Sequence, residues 1–391
     1  MSVTAAQGFV AAGVAAGIKS TGAKDVTVVV NEGPSKVAAG VFTTNRIEAA
    51  PVTWSREVIA DGRADAVILN SGGANACTGP EGFADTHRTA EHLASALGAT
   101  GRDIGPGDVA VCSTGLIGVR LPMDTLLSGA DAAVGSLSAD GGDDAAEGIM
   151  TTDSVPKKAV ASRDGWTVGG MAKGAGMLAP GMATMLCVVT TDADISAATA
   201  KAALASAVSR TLNRVDSDGC MSTNDTVLLM ASGASGESPE ASAFEAALTE
   251  VLADLARQLV ADAEGAGHDI AVTVEHATTE AAAEAVARAI TRSNLFKTAI
   301  FGNDPNWGRI ISAAGTVPES VAPYDATTID VSVNGVQVCR NAGVGDDRDL
   351  VDLSGREVQV VVDLKAGDAS ATVWTNDLTH DYVHENSAYS S

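Results

Sequence analysis

Lys173-Gly174-Ala175-Gly176-Met177-Leu178-Ala179-Pro180-Gly181-Met182-Ala183-Thr184-Met185-Leu186 runs through the middle of the chain. Glycine and proline crowd the approach to Thr184, and an apolar, strand-like run from Met185 to Val189 follows it. At this density, glycine and proline hold a backbone in sharp turns. A threonine in such a turn, behind the small Ala183, can direct its hydroxyl at the preceding peptide bond. Cleavage at Ala183–Thr184 leaves Thr184 as a new N-terminus. Its hydroxyl is then a nucleophile, and its own α-amino group is the neighbouring base. That amine titrates near ~8, so it is largely free of its proton only around neutral pH or above. Two other readings compete on these residues alone. Gly174-Ala175-Gly176 partly fits a dinucleotide fingerprint, but that fingerprint opens a helix, and Pro180 and Gly181 fall where its first turns belong. The stretch also fits a plain glycine-rich turn before a buried strand.

Working outward, 391 residues suggest two or three units at ~150 residues each. Hydrophobic residues make up 46% and aromatics only 3%, so the core is built mainly from Ala, Val, Leu and Ile. The net charge of −24 repels nucleic acid, whose binding needs clustered Lys and Arg. No apolar run reaches about 18 residues, so no membrane helix is expected. No basic segment precedes an apolar stretch at the N-terminus, so no secretory signal is expected. The five cysteines, Cys77, Cys112, Cys187, Cys220 and Cys339, are dispersed and never spaced as C-x-x-C. That spacing favours a reducing cytoplasm over a disulfide framework or a zinc site. Cys112 and Cys187 lie in strand-like runs and read as packing residues.

Strand-like runs fall at Val26–Val30, Ala66–Asn70, Val109–Ser113, Met185–Thr190, Thr226–Ala231, Ile270–Val274, Ile329–Val333 and Val358–Val362. Helical spacing marks Asp85–Gly98, Ile195–Leu212, Ala243–Ala266 and Ala281–Ile290. Asp194, Ser196 and Thr278 are candidate N-caps. Loops are expected at Ser136–Asp144 and Gly233–Glu240, and short strands, turns and an irregular tail from about residue 320. The class is mixed α and β, with strands on both sides of Thr184, and sheet order is not fixed by pattern.

Other blocks stand out in order: Asn70-Ser71-Gly72-Gly73-Ala74-Asn75-Ala76-Cys77-Thr78-Gly79, Ser113-Thr114-Gly115-Leu116-Ile117-Gly118, Ile149-Met150-Thr151-Thr152-Asp153, Ser222-Thr223-Asn224-Asp225-Thr226, Gly302-Asn303-Asp304-Pro305-Asn306-Trp307-Gly308-Arg309 and the tail Glu385-Asn386-Ser387-Ala388-Tyr389-Ser390-Ser391. With the Thr184 stretch, this ordered set resembles the ornithine acetyltransferases, or glutamate N-acetyltransferases, of arginine biosynthesis, over essentially the whole chain. The resemblance implies a layered αββα architecture with an additional α/β region. It implies self-cleavage into residues 1–183 and 184–391, both contributing to the core, and a heterotetramer of two chains of each kind. It also implies transfer of an acetyl group from N2-acetyl-L-ornithine to L-glutamate through an acetyl-threonine, without cofactor or metal; some members also accept acetyl-CoA.

Thr114 and Gly115 follow the apolar run Val109–Cys112, so they sit at the mouth of a strand. A hydroxyl and a glycine-flanked N–H approach an oxygen closely, though a strand-to-loop turn reads the same way; the resemblance makes them the oxyanion hole. Lys173, eleven positions before Thr184, is suited to grip a carboxylate or to depress the amine pKa by like charge. By resemblance Thr151, Lys173, Thr184, Glu264, Asn386 and Ser391 bind substrate, with Glu264 facing the cationic end of ornithine. Many members carry Thr-Lys where this chain has Gly267-His268. His380 and His384 are four apart but lack an evident third metal ligand. Asp216, Asp218 and Asp225 read as structural or loop-capping acids, and Gly302–Arg309 as a turn. The rival readings are an N-terminal-nucleophile amidase or aminopeptidase, which passes the acyl group to water, and a catalytically silent binding protein.

Overall fold

The computed structural model describes residues 2–179 and 185–388. The chain divides into two compact units, the first made mainly of residues 1–213 and 220–262, the second of 214–219 and 263–390.

In chain order the first unit contains β1 (Phe9–Val14), β2 (Val26–Asn31), β3 (Val37–Phe42), α1 (Ala50–Val58), β4 (Ala66–Ser71), α2 (Gly79–Ala99), β5 (Val109–Thr114), α3 (Met123–Gly135), α4 (Gly142–Gly148), β6 (Lys157–Arg163), β7 (Trp166–Lys173), β8 (Leu186–Thr191), α5 (Ala197–Arg210), β9 (Thr226–Ala231) and α6 (Ala241–Ala261). The strands form two sheets, ordered β1-β2-β4-β5 and β3-β9-β8-β7-β6. Strands β2, β4, β5, β8 and β9 are buried at every position, as expected where both faces of a sheet are covered. One core lies between the sheets, where Val29, Leu69 and Cys112 of one meet Met171, Val188 and Leu228 of the other. A second joins the outer face of the first sheet to Leu93 and Leu97 of α2 and Leu126 and Ala130 of α3. On the far side α6 packs on β6 and β7, and α5 packs on β3 and α6. The layers are therefore helix, sheet, sheet, helix, the expected αββα arrangement.

Glycine lets these layers approach. Successive residues of a strand face opposite sides. A Cβ on Gly169 of β7 would lie 2.2 Å from the Ser2 carbonyl, and one on Gly170 would press on Val251 and Leu255 of α6 at 3.1 Å.

The second unit contains β10 (Asp269–Ala277), α7 (Glu280–Thr291), α8 (Asn294–Phe301), α9 (Trp307–Ala314), β11 (Asp330–Val333), β12 (Val336–Arg340), β13 (Gly343–Val344), β14 (Glu357–Asp363), β15 (Ala369–Asn376) and α10 (His380–Ala388). Its six strands are ordered β13-β12-β11-β14-β10-β15. Burial alternates along β14 and β10, the pattern of a sheet with one well-covered face. Val286 and Ile290 of α7 share a core with Val272, Val360 and Val373 of that sheet. This is the additional α/β region.

Several local expectations are corrected. Ser196 caps α5 by accepting from the Thr199 amide, so Asp194 is not its cap. Thr279 rather than Thr278 caps α7, accepting from Ala282. The expected loop at Ser136–Asp144 runs into α4 at Gly142. The turn at Gly302–Arg309 ends in a helix start, with Asn306 capping α9. His380 and His384 lie on α10, where an irregular tail was expected. Among the described residues no group of three His, Cys, Asp or Glu is placed to hold a metal ion, and no helix is long and apolar enough to cross a membrane.

Candidate active site

Strands β7 and β8 are consecutive, antiparallel neighbours with Lys173 opposite Leu186. The glycine-rich loop of the sequence joins them. Ala183 and Thr184 lie outside the described residues; Lys173 and Met185 bracket them. Strand β9 runs parallel to β8 with Thr226 opposite Leu186. The starts of β8 and β9 and the end of β7 thus converge where the loop enters.

The end of β5, in the other sheet, arrives at the same place. The Lys173 ammonium donates to Thr114 Oγ1 at 3.1 Å, and both residues are buried. The Thr114 carbonyl accepts from the amides of Gly72 and Gly73, each at 2.9 Å. Gly115 follows with φ +128°, and a Cβ there would lie 2.6 Å from the Gly73 nitrogen. Only glycine fits this backbone and this space. Asn224 ties the blocks together, donating to the carbonyls of Ala74 at 2.6 Å and Ser113 at 2.8 Å. Ser113 donates to Asn70 at 2.6 Å. The stretches around residues 70–75, 113–115 and 222–226, separate in sequence, form one hydrogen-bonded frame.

Asp153 anchors the opposite flank. Its Oδ1 accepts from the Gly174 amide and from Lys157 Nζ, each at 2.6 Å, and its Oδ2 accepts from the Thr151 amide at 2.9 Å. Lys157, fully buried, also pairs with Asp262 at 2.6 Å. Burial alone raises the Asp153 pKa, but the charges of Lys173 and Lys157 and the Gly174 amide outweigh it and hold the group at about 2. Burial lowers the Lys173 pKa against the pull of Asp153 and Asp225. A buried cation that donates to a threonine hydroxyl beside a glycine turn is suited to hold an anion or a developing oxyanion.

Thr114, Gly115, Thr151 and Lys173 lie close together in the first unit. Glu264 and Asn386 belong to the second unit, where Asn386 Nδ2 donates to Glu264 Oε2 at 2.9 Å. Beside Glu264, Asp377 accepts the Gly267 and His268 amides and pairs with the His268 ring at 2.8 Å. Asp216 is structural, bound by Arg288 and Arg292. Ser391 lies outside the described residues. The sequence reading passed over Asp153 and Lys157 and gave Asp225 no chemical role. Their signal was their place in or beside the quoted blocks.

The model of the ArgJ family matches residues 10–391. The chain belongs to the ArgJ family. It is 61% identical over 391 residues to the arginine biosynthesis bifunctional protein ArgJ of Streptomyces coelicolor, with both chains covered fully. The ArgJ protein of Bifidobacterium longum is 58% identical over 396 residues, again with full coverage of both. A crystal structure of Mycobacterium tuberculosis ornithine acetyltransferase complexed with ornithine matches 46% of this chain and 94% of its own, at 63% identity and a TM-score of 0.45. The ArgJ structure from Bacillus halodurans matches 51% of this chain and 97% of its own, at 36% identity and a TM-score of 0.48. ArgJ membership makes this chain an acyltransferase of arginine biosynthesis.

Proposed function

We propose that this enzyme cuts itself between Ala183 and Thr184 and uses the freed Thr184 to carry acetyl from N2-acetyl-L-ornithine to L-glutamate. The observation that carries the reading is the buried pair of Lys173 and Thr114 at the mouth of the β7–β8 loop. Thr184 Oγ attacks the acetyl carbonyl, and its α-amine takes the hydroxyl proton. The Thr114 hydroxyl and Gly115 N–H stabilise the oxyanion. Ornithine leaves with a proton from the ammonium, and the glutamate amine attacks the acetyl-threonine in the second half. Both substrates are α-amino acids, so one carboxylate-binding site serves them in turn, and ping-pong kinetics follow. We assign Thr151 and Lys173 to substrate binding with Glu264, Asn386 and Ser391, and Glu264 to the ornithine side-chain ammonium. The acetyl-CoA reaction, the heterotetramer of two chains of each kind and a cytoplasmic location complete the proposal.

Denaturing electrophoresis, N-terminal sequencing and intact mass after acetylornithine is added test it. Expected are fragments 1–183 and 184–391, the second gaining one acetyl group that glutamate removes. Thr184→Ala is expected to remain one chain of 39.1 kDa without transferase activity. Splitting of that variant at the same bond would sink the mechanism. Equally fast release of acetyl to water without glutamate would favour an amidase.

A further inference from the structure

We propose that Asp225 is the counter-ion of the Thr184 α-amine, a positioning residue that acts through that amine; this rests on the reading of Thr184 as nucleophile. Asp225 immediately precedes β9, beside the start of β8. Its Oδ1 accepts the Met185 N–H at 2.9 Å, which is the amide of the Thr184–Met185 peptide. Its Oδ2 is buried and has no hydrogen-bond partner among the described residues. Leaving a carboxylate oxygen unpaired in a dry site is costly. A carboxyl that spends one oxygen on the peptide after Thr184 and keeps the other uncommitted is built to receive a group that arrives later. Cleavage creates one such group in this segment, the α-amine of Thr184.

The surrounding charges fit this role. Lys173 ends β7 on the opposite side of β8, and beyond it lie Asp153, Lys157 and Lys19. Asp153 is already engaged by Lys157 and the Gly174 amide. From β5, Cys112 keeps its proton, its thiol pushed up to about 12 by burial. Burial holds the Asp225 carboxyl well above its usual range, against the Met185 amide, the Ser222 hydroxyl and the Lys173 charge. An ammonium at Oδ2 would reverse that. During acetylation the Thr184 Oγ–H bond breaks as Oγ bonds to the acetyl carbon. The proton passes to the α-amine, and Asp225 stabilises the resulting ammonium. The acetyl C–N bond then breaks, and that proton leaves on the departing amine. The amine gains charge only as reaction proceeds, so a counter-ion there accelerates the step.

The test is Asp225→Asn, which keeps the size of the side chain and removes its charge, compared with wild type by kcat against pH on fully cleaved enzyme. Without its counter-ion the ammonium loses its proton more readily. The acid limb of kcat is expected about one pH unit lower, with kcat at least roughly tenfold lower and both KM values little changed. An uncut Asp225→Asn chain with a wild-type unfolding midpoint also supports the proposal, because self-cleavage protonates the same amine. A cut, folded variant with the wild-type acid limb overturns it. If the Asn variant is unstable, Asp225→Glu decides: restored turnover supports a role for charge, and restored stability without turnover overturns it. The reading of Thr184 is checked separately, by the acetyl mass on the wild-type 184–391 fragment.

Discussion

Lys173 decides which way the Thr114 hydroxyl points. An ammonium only donates, so Thr114 Oγ1 accepts from it, and the hydroxyl proton is left for another acceptor. Thr114→Ala is therefore expected to lower kcat by about a hundred- to a thousandfold in cleaved enzyme, with a smaller change in KM. Turnover at the wild-type rate would remove Thr114 from the oxyanion hole. Asp153 carries a pH signature. Its folded pKa of about 2 lies below the unfolded value of 3.8. Its contribution is thus fully present above the unfolded pKa and fades as pH falls toward 2, and it is on the order of 2 kcal/mol. Urea unfolding of wild type and Asp153→Asn is expected to show a gap that is constant above about pH 5 and narrows below about pH 4. A gap independent of pH would mean that the Asp153 charge does not stabilise the fold. Thr114 was legible because it follows an apolar run, and Lys173 because it opens the glycine-rich stretch that leads to Thr184. Asp153 and Lys157 were not: nothing in their polar surroundings marks them as buried, yet Asp153 sits in an irregular segment and Lys157 opens β6, both buried. Asp225 sits in a polar string that reads as loop, and its burial comes from strands distant in sequence.

In the first unit, strands were legible where burial is two-sided. Strands β2, β4, β5, β8 and β9 are continuous apolar runs because sheet or helix covers each face. Strands β1 and β3 mix Ala and Gly with Val, and β6 carries Lys and Arg at an edge, so none shows a strand signal. Helix α4, Gly142-Asp143-Asp144-Ala145-Ala146-Glu147-Gly148, reads as a glycine-rich acidic loop. It is a helix because Ala145 and Ala146 enter the core between the sheets, and close contact with β1 demands the glycine before it: a Cβ on Gly141 would lie 1.8 Å from the Ala11 carbonyl. The α7 boundary yields a direct comparison. Thr279→Ala removes the acceptor of the Ala282 amide and is expected to cost about 1 kcal/mol. Thr278→Ala is expected to stay within about 0.5 kcal/mol. Thermal or urea unfolding of the two variants separates them, and equal effects would mean that the cap contributes little.

At the scale of the whole molecule, charge and topology matter most. A net charge of −24 repels itself, while exposed pairs such as Arg120–Glu81 at 2.7 Å pull the other way. Self-repulsion is summed over all charges, whereas exposed pairs are individually weak. The unfolding temperature at pH 7 is therefore expected to rise by a few degrees between about 0.01 and 0.15 M salt, as the Debye length shortens from about 30 to about 8 Å. A flat or falling midpoint would mean that the pairs dominate. Sheet order was not legible, because β3 pairs with β9, with more than half the first unit's sequence between them. That order has one more consequence. In the sheet β3-β9-β8-β7-β6, the central strands β8 and β9 follow Thr184, and both their outer neighbours precede it. A cut at residue 184 therefore leaves β9 and β8 of one polypeptide paired on both sides to strands of the other. Before the cut, the loop keeps β7 and β8 at a local concentration near millimolar, and pairing is first order. After it, strands released by denaturant must find each other by diffusion. The precursor can refold in dilute solution, whereas the mature enzyme would reassemble at a rate that rises with protein concentration.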